Sequence, residues 1–259
     1  MEYKNTLYEK SEGIATITIN RPPVNAINEE TILEILSELD DAKKDESIRV
    51  IVITGAGDRA FSAGADITMW KDVNPLRARE LSRLGQRMCD EIEALEKPVI
   101  AAINGYALGG GLELAMACDL RIASEKARLG QPEINIGLIP GWGGTQRLPR
   151  FVGKGVAKEM IFTGKMIGAK DAEQLNLVNK VAPPDQLKSV VKELATEIMN
   201  KSPIALKLAK ELINSSLETD LKTGTMREAE VSGIISSTED YKEGVTAFFE
   251  KRKPKFKGK

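Results

Sequence analysis

Two glutamates and a run of glycines hold the chemistry open to this chain. Glu113 follows Asn104-Gly105-Tyr106-Ala107-Leu108-Gly109-Gly110-Gly111-Leu112, and Glu133 stands in Leu129-Gly130-Gln131-Pro132-Glu133-Ile134. Three adjacent glycines leave backbone N–H groups uncovered by side chains, so a ligand or another backbone can come close. A helix starting at the last of them would set those amides at its positive end, where developing negative charge is stabilised. Glu113 would then lie in the first turn, beside that seat. Uncovered amides next to a carboxylate suit an oxyanion site with an acid/base. The same residues also suit a tight strand-to-helix crossing whose glutamate only complements the helix dipole. Glu133, flanked by Pro132 and Ile134, is either a carboxyl in apolar surroundings with a raised pKa or a solvated loop residue.

The 259 residues include no histidine. That excludes Ser-His-Asp and Cys-His triads, HExxH zinc sites and every imidazole base. Acid/base work near neutral pH falls to Asp, Glu, Lys, Tyr or Cys with shifted pKa values, and carboxylates lead. No metal site is expected. Lys and Arg number 37 against 38 Asp and Glu, a net charge of −1, so nothing in the overall charge favours nucleic acid or an anionic membrane. Cys89 and Cys118 are isolated, without a CxxC pattern, and read as small core residues in a reducing cytoplasm. Met1 to Asn5 lack the basic and apolar regions of a secretory leader, and no apolar run is long enough to cross a bilayer.

The elements that must position these residues can be read in order. Strands are expected from alternation over Tyr3–Tyr8 and, more strongly, Ile14–Ile19, with Ser11-Glu12-Gly13 turning between them. Asn28 caps a helix with Thr31 at N3 and acids in the first turn. Arg49–Thr54 is an apolar strand of the kind covered on both faces. Gly55-Ala56-Gly57 follows it, but Ala60 fills the place of the third glycine of a dinucleotide loop. The small residues Ser62-Ala63-Gly64-Ala65-Asp66 form either a bed for a ligand or an ordinary surface loop. A long charged helix over Pro75–Glu96, a break at Lys97-Pro98 and a strand at Val99–Ile103 lead into the glycine run, and a strand at Cys118–Ala123 follows. Residues 129–137 read as a loop. In Pro140–Arg147, Thr145 is the expected helix cap and Trp142 a large loop ring suited to lining a pocket. From Val156 the chain is mainly helical, near 153–164, 169–175, 184–200, 203–216, 218–236 and 239–251. The expected division is an α/β core over 1–195 and a helical part over 196–259, ending in a basic tail.

The segments Phe61–Ile67, Lys97–Asp119 and Gly130–Arg147, with Ser237–Val245 and Ala247–Arg252, resemble the enoyl-CoA hydratase/isomerase family, the crotonase superfamily. The likeness runs from Asn20-Arg21-Pro22 to the end of the chain. It implies an α/β fold, a spiral of ββα repeats with a helical C-terminal part for oligomerisation, and trimers that commonly pair into hexamers. It also implies that Ala65 and Gly110 donate N–H bonds to an acyl thioester oxygen, and that Glu113 and Glu133 flank the reactive carbons. Ala63 and Ile67, within the Ala63-Gly64-Ala65-Asp66-Ile67 stretch, would lie along coenzyme A. Phe248 and Lys251 match tail positions that contact coenzyme A, from a neighbouring subunit. Some relatives place another aromatic on coenzyme A, and Ser232 occupies that position here.

Retention of both glutamates favours hydration of a 2-enoyl-CoA over the other reactions of such proteins. Coenzyme A would be part of the substrate, and no separate cofactor is expected. The bulky Met69, Trp70 and Trp142 beside the matched motifs point to short acyl groups. The alternatives are dehydration of 3-hydroxypropionyl-CoA to acrylyl-CoA, isomerisation of a 3-enoyl thioester and, from another class, RNA binding as in some relatives. Outside the tail, no dense basic stripe with aromatics supports the last.

Overall fold

The computed structural model describes residues 3–259. Strand β1 (Thr6–Ser11) pairs antiparallel with β2 (Ile14–Ile19), starting later than Tyr3. In β2 the alternation buries Ala15, Ile17 and Ile19 on one face. Helix α1 (Glu29–Lys44) begins where Thr31 N donates to Asn28 Oδ1 at 2.8 Å, and it buries Ile32, Ile35, Leu39 and Ala42.

Three ββα repeats follow. The first is β3 (Val50–Gly55), β4 (Ala60–Ser62) and α2 (Pro75–Ala94). The second is β5 (Val99–Ile103), β6 (Tyr106–Leu108) and α3 (Gly110–Ala117). The third is β7 (Leu120–Ser124), β8 (Arg128–Gly130) and α4 (Gly144–Thr163). The first strand of each repeat joins one sheet and the second another. With β9 (Met166–Gly168), α5 (Ala169–Gln174) and β10 (Lys180–Ala182), this makes a six-stranded sheet ordered β1-β2-β3-β5-β7-β10 and a four-stranded sheet ordered β4-β6-β8-β9. Parallel pairing of β3 with β5 and β5 with β7 stacks the repeats into a spiral.

The central strands are apolar on both faces because both are covered. Ile51 and Ile53 join the main core with α1, α2 and α3. Val50 and Val52 meet Leu187, Val191 and Ala195 of α6 (Leu187–Met199) on the other side. Residue 195 therefore lies within a helix packed on the sheet. Beyond it, α7 (Pro203–Ser215) and α8 (Leu221–Ile235) contain no buried residue, and α9 (Glu239–Phe249) buries only Asp240 and Ala247. Polar contacts dock this part. Lys210 Nζ donates to Asp119 Oδ2 at 2.8 Å, and Asp240 accepts from Ser202 Oγ at 2.7 Å and from Lys257 N at 2.7 Å. Ile213, Leu217, Leu221, Met226, Ile234, Phe248 and Phe249 remain exposed. Among the described residues no helix is long and apolar enough to cross a membrane.

Three local expectations are corrected. Helix α3 starts at Gly110, one residue before the last glycine, with Gly109 (φ 51°) as its cap. Residues 129–137 are not all loop: β8 ends at Gly130, and Glu133–Ile136 forms one 3₁₀ turn. Thr145 is not a cap, because Gly143 at φ 115° reverses the chain and α4 begins at Gly144.

Candidate active site

The chain crosses from β4 toward α2 through Ala63-Gly64-Ala65, and from β6 into α3 through the glycines. Backbone bonds Ala63 N to Val24 O (2.9 Å), Ile27 N to Gly64 O (2.8 Å) and Asp66 N to Ile27 O (2.8 Å) fix the first loop. Alternation along that bridge leaves the Ala65 N–H on the other side, and it donates to no atom among the described residues. Gly110 N, at the first position of α3, is free for the usual reason that a helix start lacks preceding carbonyls. Gly64 (φ +100°) lets the loops meet: a Cβ there would stand 2.7 Å from Leu108 O and 3.2 Å from Gly110 N. Both free amides belong to residues lining one cavity of about 700 Å³.

Glu113 and Glu133 line the same cavity. Glu113 is 1 % exposed, and its Oε1 accepts from Trp142 N at 2.8 Å and Gly144 N at 2.6 Å. Burial pushes its pKa up to about 7, against the pull of those amides and of the Arg147 guanidinium. Glu133 reaches about 7 by a different balance: burial first, then the charge of Glu113. It lies close over Gly109, where a Cβ would be 2.8 Å from Glu133 Oε1, so a side chain there would displace the carboxyl. The fully buried Gln131, with its amide nitrogen turned to Glu133, donates to the two carboxylate oxygens at 3.0 and 3.2 Å.

The loop that supplies the Glu113 donors is held from α2. Gln86 Nε2 donates to Gly141 O at 2.8 Å, and Arg147 donates to Trp142 O at 3.1 Å while pairing with Glu93 (2.6 Å) and Asp90 (2.9 Å). Gln131, Gln86 and Arg147 were not singled out from sequence. Gln131 and Arg147 sit inside the motifs that carry the resemblance, but only the fold shows what they face.

Ala63, Gly64, Ile67, Trp70 and Trp142 also line the cavity, and Met69 does not. Asp66 is placed differently from the expectation of a ligand contact. Its side chain accepts from Thr68 N at 3.0 Å and pairs with Arg21 at 2.6 Å, capping the 3₁₀ turn Ile67–Trp70 rather than lining the cavity. Phe248 and Lys251 stand exposed at the end of α9, and this chain does not itself bring them to the cavity. Among the described residues no cluster of three or more His, Cys, Asp or Glu is gathered as for a metal ion.

Staggered ββα repeats around a cavity lined by two free amides and two glutamates define the class of protein. The model of the enoyl-CoA hydratase/isomerase family matches residues 9–259, and the chain belongs to that family. It is 47% identical over 257 residues to a crotonyl-CoA hydratase of Syntrophomonas wolfei, covering 99% of each chain. It is also 47% identical to a short-chain-enoyl-CoA hydratase of Clostridium acetobutylicum, over 98% of this chain and 97% of that one. An enoyl-CoA hydratase structure from Bacillus anthracis superposes with a TM-score of 0.95 at 40% identity, covering 99% of this chain and 100% of that one.

Proposed function

We propose that this enzyme catalyses reversible syn addition of water to a short-chain trans-2-enoyl-CoA, giving the 3-hydroxyacyl-CoA. The observation that carries the reading is a pair of carboxyls, one buried and one half-buried, lining the same cavity as two unpaired amides. Water adds through its oxygen to C3, and the C2=C3 electrons move onto the thioester oxygen. The Ala65 and Gly110 N–H groups receive that charge, each worth about 3 kcal/mol in the transition state. One carboxylate takes the proton of the attacking water, and one carboxylic acid supplies the proton to C2.

The environments divide these roles. Two backbone N–H groups donate to Glu113, which favours its ionised form and makes it the base. Glu133 has the neutral Gln131 amide and its own backbone N–H but faces the charge of Glu113, so it keeps the proton and is the acid. A pair holding one proton serves both directions, since dehydration starts with the proton on the other partner. The step needs neither a metal nor a redox group, and coenzyme A enters as part of the substrate.

The short-chain assignment rests on the names of the Syntrophomonas and Clostridium relatives. The same site run in reverse would form acrylyl-CoA from 3-hydroxypropionyl-CoA. A panel of acrylyl-, crotonyl- and longer 2-enoyl-CoA thioesters, followed by loss of the conjugated enoyl absorbance with product identification, tests the reading. Rapid crotonyl-CoA hydration is expected. No turnover of any enoyl-CoA, or conversion of a 3-enoyl-CoA without hydration, would overturn it.

We further propose a homotrimer or dimer of trimers in the cytoplasm. The exposed apolar residues of α7–α9 and the two buried free cysteines support this. In such an assembly Phe248 and Lys251 would reach the coenzyme A of a neighbouring copy, and light scattering that gave a monomer would refute it.

A further inference from the structure

We propose that Trp142 and Gly85 together set the limit on acyl length, the indole forming a fixed floor wedged between helices α2 and α3. This rests on the hydratase reading above. Trp142 lines the cavity yet is only 2% exposed, so its ring closes the space rather than lying along an open wall. A Cβ at Gly85 of α2 would fall 2.2 Å from the indole Nε1 and 2.3 Å from Cδ1. A Cβ at Gly110 of α3 would fall 2.5 Å from Cζ3 on the ring's other side. Two helices therefore forgo a side chain where this one ring sits. Glycine within a helix is otherwise unfavourable, and position 85 is well inside α2.

The ring is held as well as fitted. Its own carbonyl accepts from Arg147, and the neighbouring Gly141 carbonyl accepts from Gln86, both of which tie the loop to α2. Its own backbone N–H donates to Glu113 at 2.8 Å, which ties the residue that bears the floor directly to the carboxylate that activates water. A C4 chain ends just beyond C3, so it fits above the floor. Each further methylene must displace an indole with no free space behind it on α2 or α3. The donor to Glu113 is a backbone group, so substituting the side chain changes the floor and leaves the donor chemically in place.

The test measures kcat/KM for C4, C6, C8 and C10 trans-2-enoyl-CoA with the full-length enzyme, W142A, W142F and the double variant W142A/G85L. The wild type should fall steeply beyond C4. W142A should raise the C8-to-C4 ratio about 10²-fold, W142F by less, and Leu at position 85 in the double variant should refill the space and restore the short-chain preference. If W142A loses its folded circular dichroism spectrum, the ratio for W142F decides. Equal loss at every chain length with an unchanged ratio would overturn the proposal, as would a wild type that hydrates C8 as efficiently as C4. Absence of any turnover by the wild type would instead remove the hydratase reading itself.

Discussion

The two turns that present the carboxyls are built in opposite ways. Glu113 stands in the first turn of a helix buried along its whole length, and its Oε1 is pinned by two backbone amides. Glu133 stands in a single 3₁₀ turn whose Ile134 and Ile136 are exposed, and its only side-chain donor is Gln131. Burial raises both carboxyls to about 7, yet one is balanced by donors and the other is raised further by its neighbour's charge. The two raised carboxyls therefore have unequal jobs. The rigid, donor-rich group suits the base, and the donor-poor group suits a retained proton.

Substitutions can break that division, starting with the largest effect. Glu113→Gln should cut kcat for crotonyl-CoA about 10³-fold with KM little changed, because the amide cannot take a proton from water. Glu133→Gln should cost about 10²-fold or more by removing the acid. Folded variants that kept wild-type rates would dissolve the whole assignment. Gly109→Ala should be milder, about tenfold in kcat, since the new methyl displaces the Glu133 carboxyl and alanine is strained at φ 51°. A loss falling in KM alone would show that Glu133 tolerates the shift. Gln131→Leu removes a donor to ionised Glu133, so the alkaline limb of the rate profile should move to higher pH.

A third glutamate with a raised pKa gives the smallest catalytic effect and a useful contrast. Glu38 is fully buried in α1, accepts from Thr6 Oγ1 at 2.5 Å, and has its second oxygen unpartnered. Burial, with Glu34 nearby, lifts its pKa from the ordinary 4.5 to about 7. Unfolded, Glu38 loses its proton first as pH rises. Stability therefore falls between those two values, and the cost is complete above 7. Glu38→Gln should raise stability at pH 8 by about 2 kcal/mol in urea unfolding, add nothing at pH 4 and leave kcat alone. A raised pKa then marks burial in both places, and only the cavity makes it catalytic.

Much of this was legible in the residues, for local reasons. The alternation of β2, the Asn28 cap and the apolar β3 are set by neighbours in sequence, so periodicity reads them. The glycine run signalled a close approach, but not that Gly109 clears Glu133 while Gly110 clears Trp142. The small residues around Asp66 suited a ligand bed or a surface loop alike, and sequence did not show that Asp66 caps a 3₁₀ turn and pairs with Arg21. Thr145 looked like a cap because it is a good one, yet the left-handed turn at Gly143 had already started the helix. What sequence could not supply are pairings across the spiral: Gly85 with Trp142, Arg147 with Glu93, and Gly109 with Glu133.

The claim that one proton shared by two carboxyls runs the reaction is tested most directly by the pH dependence of kcat/KM for crotonyl-CoA hydration. Burial raises both carboxyls, and two groups that feel each other's charge lose their protons in two coupled steps. Losing the first proton creates the base and losing the second destroys the acid. The account predicts a bell with its maximum near pH 7. A rate that stayed flat, or rose on one side only, between roughly pH 5 and 9 would contradict it.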